Sequence, residues 1–261
     1  MGAPSFIHLL LAFAGAFIAG AINSVAGGGT MISFPILLAL GLPPVVANAT
    51  NTVGIWPGSL GSIWGFRREL TRIPKLMRWL LVPAVLGGAL GALLLRMTPE
   101  SLFERSVPWL ILFATVLFTI QAPVQKALKS AEASRRGGPG WLALALASQL
   151  LVGIYGGYFG AGMSIMMLSI LALIGMTDML EMSAMTSLLA MGINGIAGLL
   201  FIIAGIIHWP VALAMAAGSC IGGYGAAGIA RKIGKVAIRR FVIAVGFTLA
   251  TAIFVKLALR R

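Results

Sequence analysis

Ten apolar runs follow one another along this chain of 261 residues, with only short polar segments between them. They cover residues 6–26, 30–42, 45–66, 79–96 and 106–124, then 141–159, 163–175, 179–207, 210–230 and 240–259. A membrane-crossing helix needs about 20 mostly apolar residues. The pattern therefore predicts an all-α polytopic membrane protein. Composition closes the alternative: 59% of residues are hydrophobic and 10% are charged, against about a quarter charged in soluble domains. A water-soluble fold would have no surface.

The net charge of +13 would suggest nucleic acid in a soluble protein. In a chain this apolar, Lys and Arg mark cytoplasmic loops instead, and no nucleic-acid partner is expected. Cys220 is alone, and His8 and His208 are far apart. No disulfide, metal site or cofactor is expected from them. The first run begins at Phe6 with no basic residue before it, so it reads as a membrane segment and not as a signal peptide.

The runs fall into two copies. Residues 19–29, Ala-Gly-Ala-Ile-Asn-Ser-Val-Ala-Gly-Gly-Gly, align with residues 152–162, Val-Gly-Ile-Tyr-Gly-Gly-Tyr-Phe-Gly-Ala-Gly. Ala49-Thr50-Asn51 aligns with Met185-Thr186-Ser187, Leu86-Gly87-Gly88 with Ile221-Gly222-Gly223, and Arg96 with Arg231. The expected organisation is a first membrane repeat at 1–124, a linker at 125–140 on the cytoplasmic side, and a second repeat at 141–261.

Basic residues set the handedness of the duplication. The loop after the third run holds Arg67, Arg68, Arg72, Lys75 and Arg78, and its counterpart holds none. The loop after the fourth run holds Arg96 and Arg105, and its counterpart holds Arg231, Lys232, Lys235, Arg239 and Arg240. The bias reverses, so the positive-inside rule predicts two inverted-topology repeats of about five hydrophobic segments each. Cytoplasmic placement of residues 67–78, the linker and 231–240 puts 14 of the 19 basic residues inside, with both termini outside. The expected location is the cytoplasmic membrane, the inner membrane in a cell that has two.

Two runs, 30–42 and 163–175, are too short to cross at about 1.5 Å per residue. Each follows a glycine cluster, which predicts short broken or re-entrant helices there. Inverted repeats with broken helices are characteristic of secondary transporters, an analogy of architecture. Non-helical backbone at membrane depth persists only where protein, water or ligand satisfies its polar groups. A helix starting there offers N–H donors and partial positive charge, which suits an anion. The candidate residues are Asn23, Ser24, Gly27, Gly28, Gly29, Thr30 and Ser33 in the first copy. In the second they are Tyr155, Gly156, Gly157, Tyr158, Gly160, Gly162 and Ser164. The competing reading is close helix packing by small residues.

Thr50, Asn51 and Thr52, with Thr186 and Ser187, follow each cluster. Two readings stand for them: completion of a polar pocket, or hydrogen bonds between helices. Asn194 and Gln149 read as structural. Gly-x-x-x-Gly pairs at Gly87/Gly91 and Gly218/Gly222 read as packing within one chain, with a homodimer as the alternative use. No carboxylate falls centrally in a run, so no buried proton relay and no counter-charge for a cation is apparent. A small anionic substrate fits better. Inside-negative potential drives its export by about 2.3 kcal/mol per charge per 100 mV. A membrane-embedded enzyme would need a nucleophile, an acid–base pair or a metal site, and none is legible.

At residues 19–30, at Gly-Leu-Pro-Pro-Val-Val-Ala-Asn-Ala-Thr-Asn (41–51) and at Tyr-Gly-Gly-Tyr-Phe-Gly-Ala-Gly (155–162), the chain resembles the TauE/SafE family of sulfite-exporter-type permeases. The resemblance covers essentially the whole chain. It departs at Gly-Ala-Gly (160–162), where many members have a longer glycine run. It implies an exporter of sulfite, sulfoacetate or a related organosulfonate; an anion channel or an importer of another small anion is the alternative reading.

Overall fold

Each apolar run becomes a helix in the computed structural model, which describes residues 4–23, 28–131, 139–225 and 235–259. The described residues contain helices and no strand. In the first half these are α1 (Phe6–Asn23), α2 (Thr30–Ala39), α3 (Pro44–Gly65), α4 (Arg67–Arg72), α5 (Lys75–Arg78), α6 (Leu81–Met97) and α7 (Glu100–Ala131). The second half holds α8 (Pro139–Tyr158), α9 (Met163–Leu173), α10 (Met179–Ile203), α11 (Trp209–Gly225) and α12 (Lys235–Leu259).

Two boundaries differ from expectation. The first residues of the expected linker continue α7 to Ala131, because Gln, Lys, Ala and Leu are good helix formers. Lys235, Arg239 and Arg240, expected in a loop, open α12. Residues 132–138, Arg231 and Lys232 lie outside the described residues.

By length and composition, α1, residues 100–120 of α7 and α10 can cross a membrane among the described residues. The burial pattern is that of a chain solvated by lipid. Phe6, Met97, Trp109, Leu151, Ile203 and Leu213 are all more than 60% exposed, while Asn48, Thr50, Asn51, Gln149 and Ser219 are at most 1% exposed.

The short helices are short for a local reason. α2 has 10 residues and α9 has 11, so each rises about 15–17 Å against a hydrocarbon core of about 30 Å. Both stop at a left-handed glycine. Gly41 (φ 83°) and Gly175 (φ 92°) let the following N–H groups fold back. Leu42 N donates to the Leu37 carbonyl, and Met176 N to the Leu171 carbonyl. These bonds satisfy carbonyls that would otherwise be orphaned at the helix end. At its start, α10 is capped by Asp178, whose Oδ1 accepts from Leu180 N at 2.7 Å and Glu181 N at 3.2 Å.

Packing joins the halves. α1 lies on α11 and α6 lies on α8, α3 contacts α11 and α10, α6 contacts α10, and α7 contacts α12. The glycine pairs allow two of these contacts. A Cβ on Gly91 would sit 2.7 Å from Tyr158 N, and one on Gly222 would sit 2.7 Å from the Phe17 carbonyl carbon. Both pairs are thus filled within one chain, and neither is left for a second copy.

Candidate functional site

α7 brings the two breaks together. A Cβ on Gly28 would run into the Phe118 ring, and one on Gly162 would sit 3.6 Å from Ala114 Cα and 3.5 Å from Leu117 Cδ1. Ala114 and Phe118 are four residues apart, so they share one face of α7. The N-termini of α2 and α9 therefore approach the same helical turn.

Each break is braced by a bond spanning six residues, made by different chemistry. In the first, Gly29 N donates to Asn23 Oδ1 at 2.7 Å. In the second, the Tyr155 hydroxyl donates to the Ala161 carbonyl at 2.6 Å. Among the described residues, Gly28 (φ 93°) is left-handed in the first break, and Gly160 and Gly162 (both φ 79°) are left-handed in the second. In α2, Met31 and Ile32 N–H donate to the Gly28 and Gly29 carbonyls, and Ser33 N–H also reaches Gly29. These donors are occupied in the conformation seen. The Ser33 hydroxyl donates to the Gly29 carbonyl at 3.3 Å. Thr30 and Ser164, at the two helix starts, are half-buried.

The second break is walled by rings and roofed by α3. Phe34 of α2 meets Phe159 edge-on at 5.4 Å, Phe103 meets Tyr158 at 5.6 Å and Phe113 meets Tyr155 at 5.4 Å. Asn48 Nδ2 donates to the Tyr158 carbonyl at 2.9 Å, crossing from the first half into the second. Asn48 Oδ1 and Asn51 Oδ1 are buried with no partner among the described residues. The two asparagines are three residues apart on one face of α3. Asn194 Oδ1 lies 4.0 Å from where a Cβ on Gly160 would be. Buried amides without partners are costly and call for a ligand or water.

Of the expected residues, Asn23, Gly28, Gly29 and Thr30 form the first break, and Tyr155, Gly156, Gly157, Tyr158, Gly160, Gly162 and Ser164 form the second. Ser24 and Gly27 lie outside the described residues. Gly157 is also a packing position, since its Cβ would sit 2.8 Å from the Gly88 carbonyl carbon. The Thr50 hydroxyl accepts from His208 N at 3.0 Å, a bond from α3 to the residue just before α11. Thr186 and Ser187 lie on α10, and the Thr186 hydroxyl is buried with no partner among the described residues. They precede Asn194 by about two turns, roughly 12 Å along α10 for Thr186, and the Ser187 hydroxyl donates to the Ser183 carbonyl. Asn48 was missed by sequence reasoning. Its place three residues before Asn51, within the 41–51 motif, was the available signal.

Gln149 is fully buried, and neither polar atom of its side chain has a partner among the described residues. On its helix face, Ala145 and Val152 join a core with Met163, Met167 and Met185. Glu100, one of the six acidic residues, is structural: its Oε1 accepts from Val45 N at 2.8 Å and caps α3. No group of His, Cys, Asp and Glu able to hold a metal occurs among the described residues.

A helical membrane bundle with paired breaks and an amide-lined interior is built like a membrane transporter. The chain belongs to the TauE/SafE family, matching "Sulfite exporter TauE/SafE" over residues 12–253. It is 31% identical to a probable membrane transporter protein of Haemophilus influenzae, over 92% of this chain and 91% of that one. It is 31% identical to probable membrane transporter protein ORF9 of a Sinorhizobium species, over 93% and 91%. It is 27% identical to probable membrane transporter protein YfcA of Escherichia coli K12, over 88% and 83%. No solved structure matches the chain. The protein is therefore a multi-pass membrane protein of a transporter family, and the names of its relatives indicate transport and not enzymatic chemistry.

Proposed function

We propose that this chain exports a small sulfur-containing anion, such as sulfite, sulfoacetate or a related organosulfonate, across the cytoplasmic membrane. The carrying observation is the approach of Gly28 and Gly162 to one turn of α7. Two helix N-termini converging there add their partial positive charges, and an anion is the ligand such a field favours. Asn23, Thr30, Asn48, Asn51, Tyr155, Tyr158, Asn194 and Ser164 supply amide and hydroxyl groups around it. The family description favours a sulfur oxyanion within that class.

The site lies between two inverted repeats in this reading. The packing supports it: exchanging each first-half helix for its aligned partner turns the α1–α11 contact into α8–α6, and the α3–α11 contact into α10–α6. The α3–α10 and α7–α12 contacts map onto themselves. Transporters of this construction move one repeat against the other around a central site.

A thermal-shift screen of purified protein against sulfite, sulfate, thiosulfate, sulfoacetate and simple carboxylates tests the substrate class. Specific binding raises the midpoint by mass action. A rise with a sulfur oxyanion and none with carboxylates is expected. Equal shifts, or none, contradict the proposal. Counterflow in vesicles then separates a carrier from a channel.

A further inference from the structure

Beside the α4–α5 segment, Arg78, Trp79, Leu81, Val82, Val85 and Leu86 line an open cleft of about 480 Å³. Its floor is one face of α6, and it runs along the seam with α10. A Cβ on Gly192 of α10 would lie 2.8 Å from Leu81 Cδ1 and 3.2 Å from Val85 Cγ2. Val82 and Leu86 are 49% and 56% exposed, and Trp79 is 63% exposed. On a membrane protein those exposures face acyl chains, with Trp79 at headgroup depth.

One residue lining the cleft is charged. Arg78 lines it and also a second cleft of about 230 Å³, shared with Leu70, Thr71 and Leu188. Arg78 Nη2 donates to the Leu70 carbonyl at 3.0 Å. One of the five guanidinium N–H groups is thus used to fix the head, and no other partner for them occurs among the described residues; such donors suit a planar or tetrahedral anion. Residues 67–78 contain five basic residues and one acid, Glu69. Arg67 is already engaged, with its guanidinium carbon 5.0 Å from the Trp64 ring centre and Nη1 donating to the Trp64 carbonyl at 2.9 Å.

We infer that this cleft is a binding site for an anionic diacyl phospholipid, with its phosphate on Arg78 and one acyl chain along α6 between Leu81 and Leu86. Charge complementarity selects an anionic head over a zwitterionic one, as basic pockets beside membrane helices do. The apolar floor selects a lipid over a free phosphate. The site is independent of the transport reading and stands or falls without it.

Native mass spectrometry of detergent-purified protein, given equimolar dioleoyl phosphatidylglycerol and dioleoyl phosphatidylcholine, tests the site. The phosphatidylglycerol adduct should exceed the phosphatidylcholine adduct about fivefold, the worth of one well-placed basic contact. Arg78→Ala should bring the two near parity, and Arg67→Ala should leave the preference intact. Val82→Trp, which fills the floor without touching the charge, should reduce both adducts. Glycerol phosphate, a headgroup without chains, should not compete. Equal adducts on the parent protein, equal effects of Arg67→Ala and Arg78→Ala, adducts unmoved by Val82→Trp, or competition by glycerol phosphate would each overturn the assignment.

Discussion

Gly28 and Gly162 belong to different halves of the chain, yet both press on the same face of α7, one against Phe118 and the other against Ala114. That relationship makes two glycine clusters into one place. It also makes their substitutions unequal. Gly28→Ala meets both a left-handed backbone (φ 93°) and the Phe118 ring. Gly162→Ala meets the left-handed backbone alone, because its nearest neighbours are at ordinary contact distance. Left-handed geometry costs a residue with a Cβ about 1–2 kcal/mol. Gly162→Ala should lose about that much, and Gly28→Ala more. Thermal unfolding of the two variants measures the difference, and Phe118→Ala should cost less stability in the Gly28→Ala background than in the parent protein.

Asn48 ties α3 to the second break through the Tyr158 carbonyl. Asn48→Ala should cost about 1 kcal/mol for the lost bond and weaken anion binding. Asn48→Asp loses the donor and adds negative charge beside the proposed anion, so flux should fall much further than stability. Parallel transport and unfolding measurements on the two variants show whether that split occurs.

Gln149 is buried, and neither of its polar atoms has a partner among the described residues. Replacing such a group with an apolar one of similar size removes a desolvation penalty of about 1–3 kcal/mol. Gln149→Leu should therefore match or exceed the parent in thermal stability. A clear drop would mean that the amide has a bound partner.

Gly222 backs directly onto the α1 backbone at Phe17, whereas Gly65 at the end of α3 has open space around it. Gly222→Val should destabilise the fold by about 3 kcal/mol, and Gly65→Ala should be neutral. Unfolding midpoints of the purified variants decide this, with the two glycines serving as each other's control.

Helix positions were legible in the sequence because apolar runs and glycine stops are local signals. The run at 30–42 predicted a short helix, and α2 ends where Gly41 turns left-handed. The paired breaks were legible through the aligned clusters at 19–29 and 152–162. What joins them was not. Ala114 and Phe118 are ordinary apolar residues in an apolar run, and only packing shows that they touch both breaks. Asn23 and Tyr155 were legible as polar residues, but not as the two braces, since the bonding partner of each depends on backbone geometry six residues away. Thr186 resembles Thr50 in alignment, yet Thr50 bonds His208 just before α11 while the Thr186 hydroxyl has no partner among the described residues.

The central claim is that the converging breaks pass an anion outward. Sulfite efflux from proteoliposomes, with the membrane potential set by a potassium gradient and valinomycin, tests it most directly. The account predicts saturable efflux that accelerates when the interior is made negative and is lost in folded Gly28→Ala protein. Efflux indifferent to the imposed voltage, or no faster than from protein-free vesicles, would contradict it.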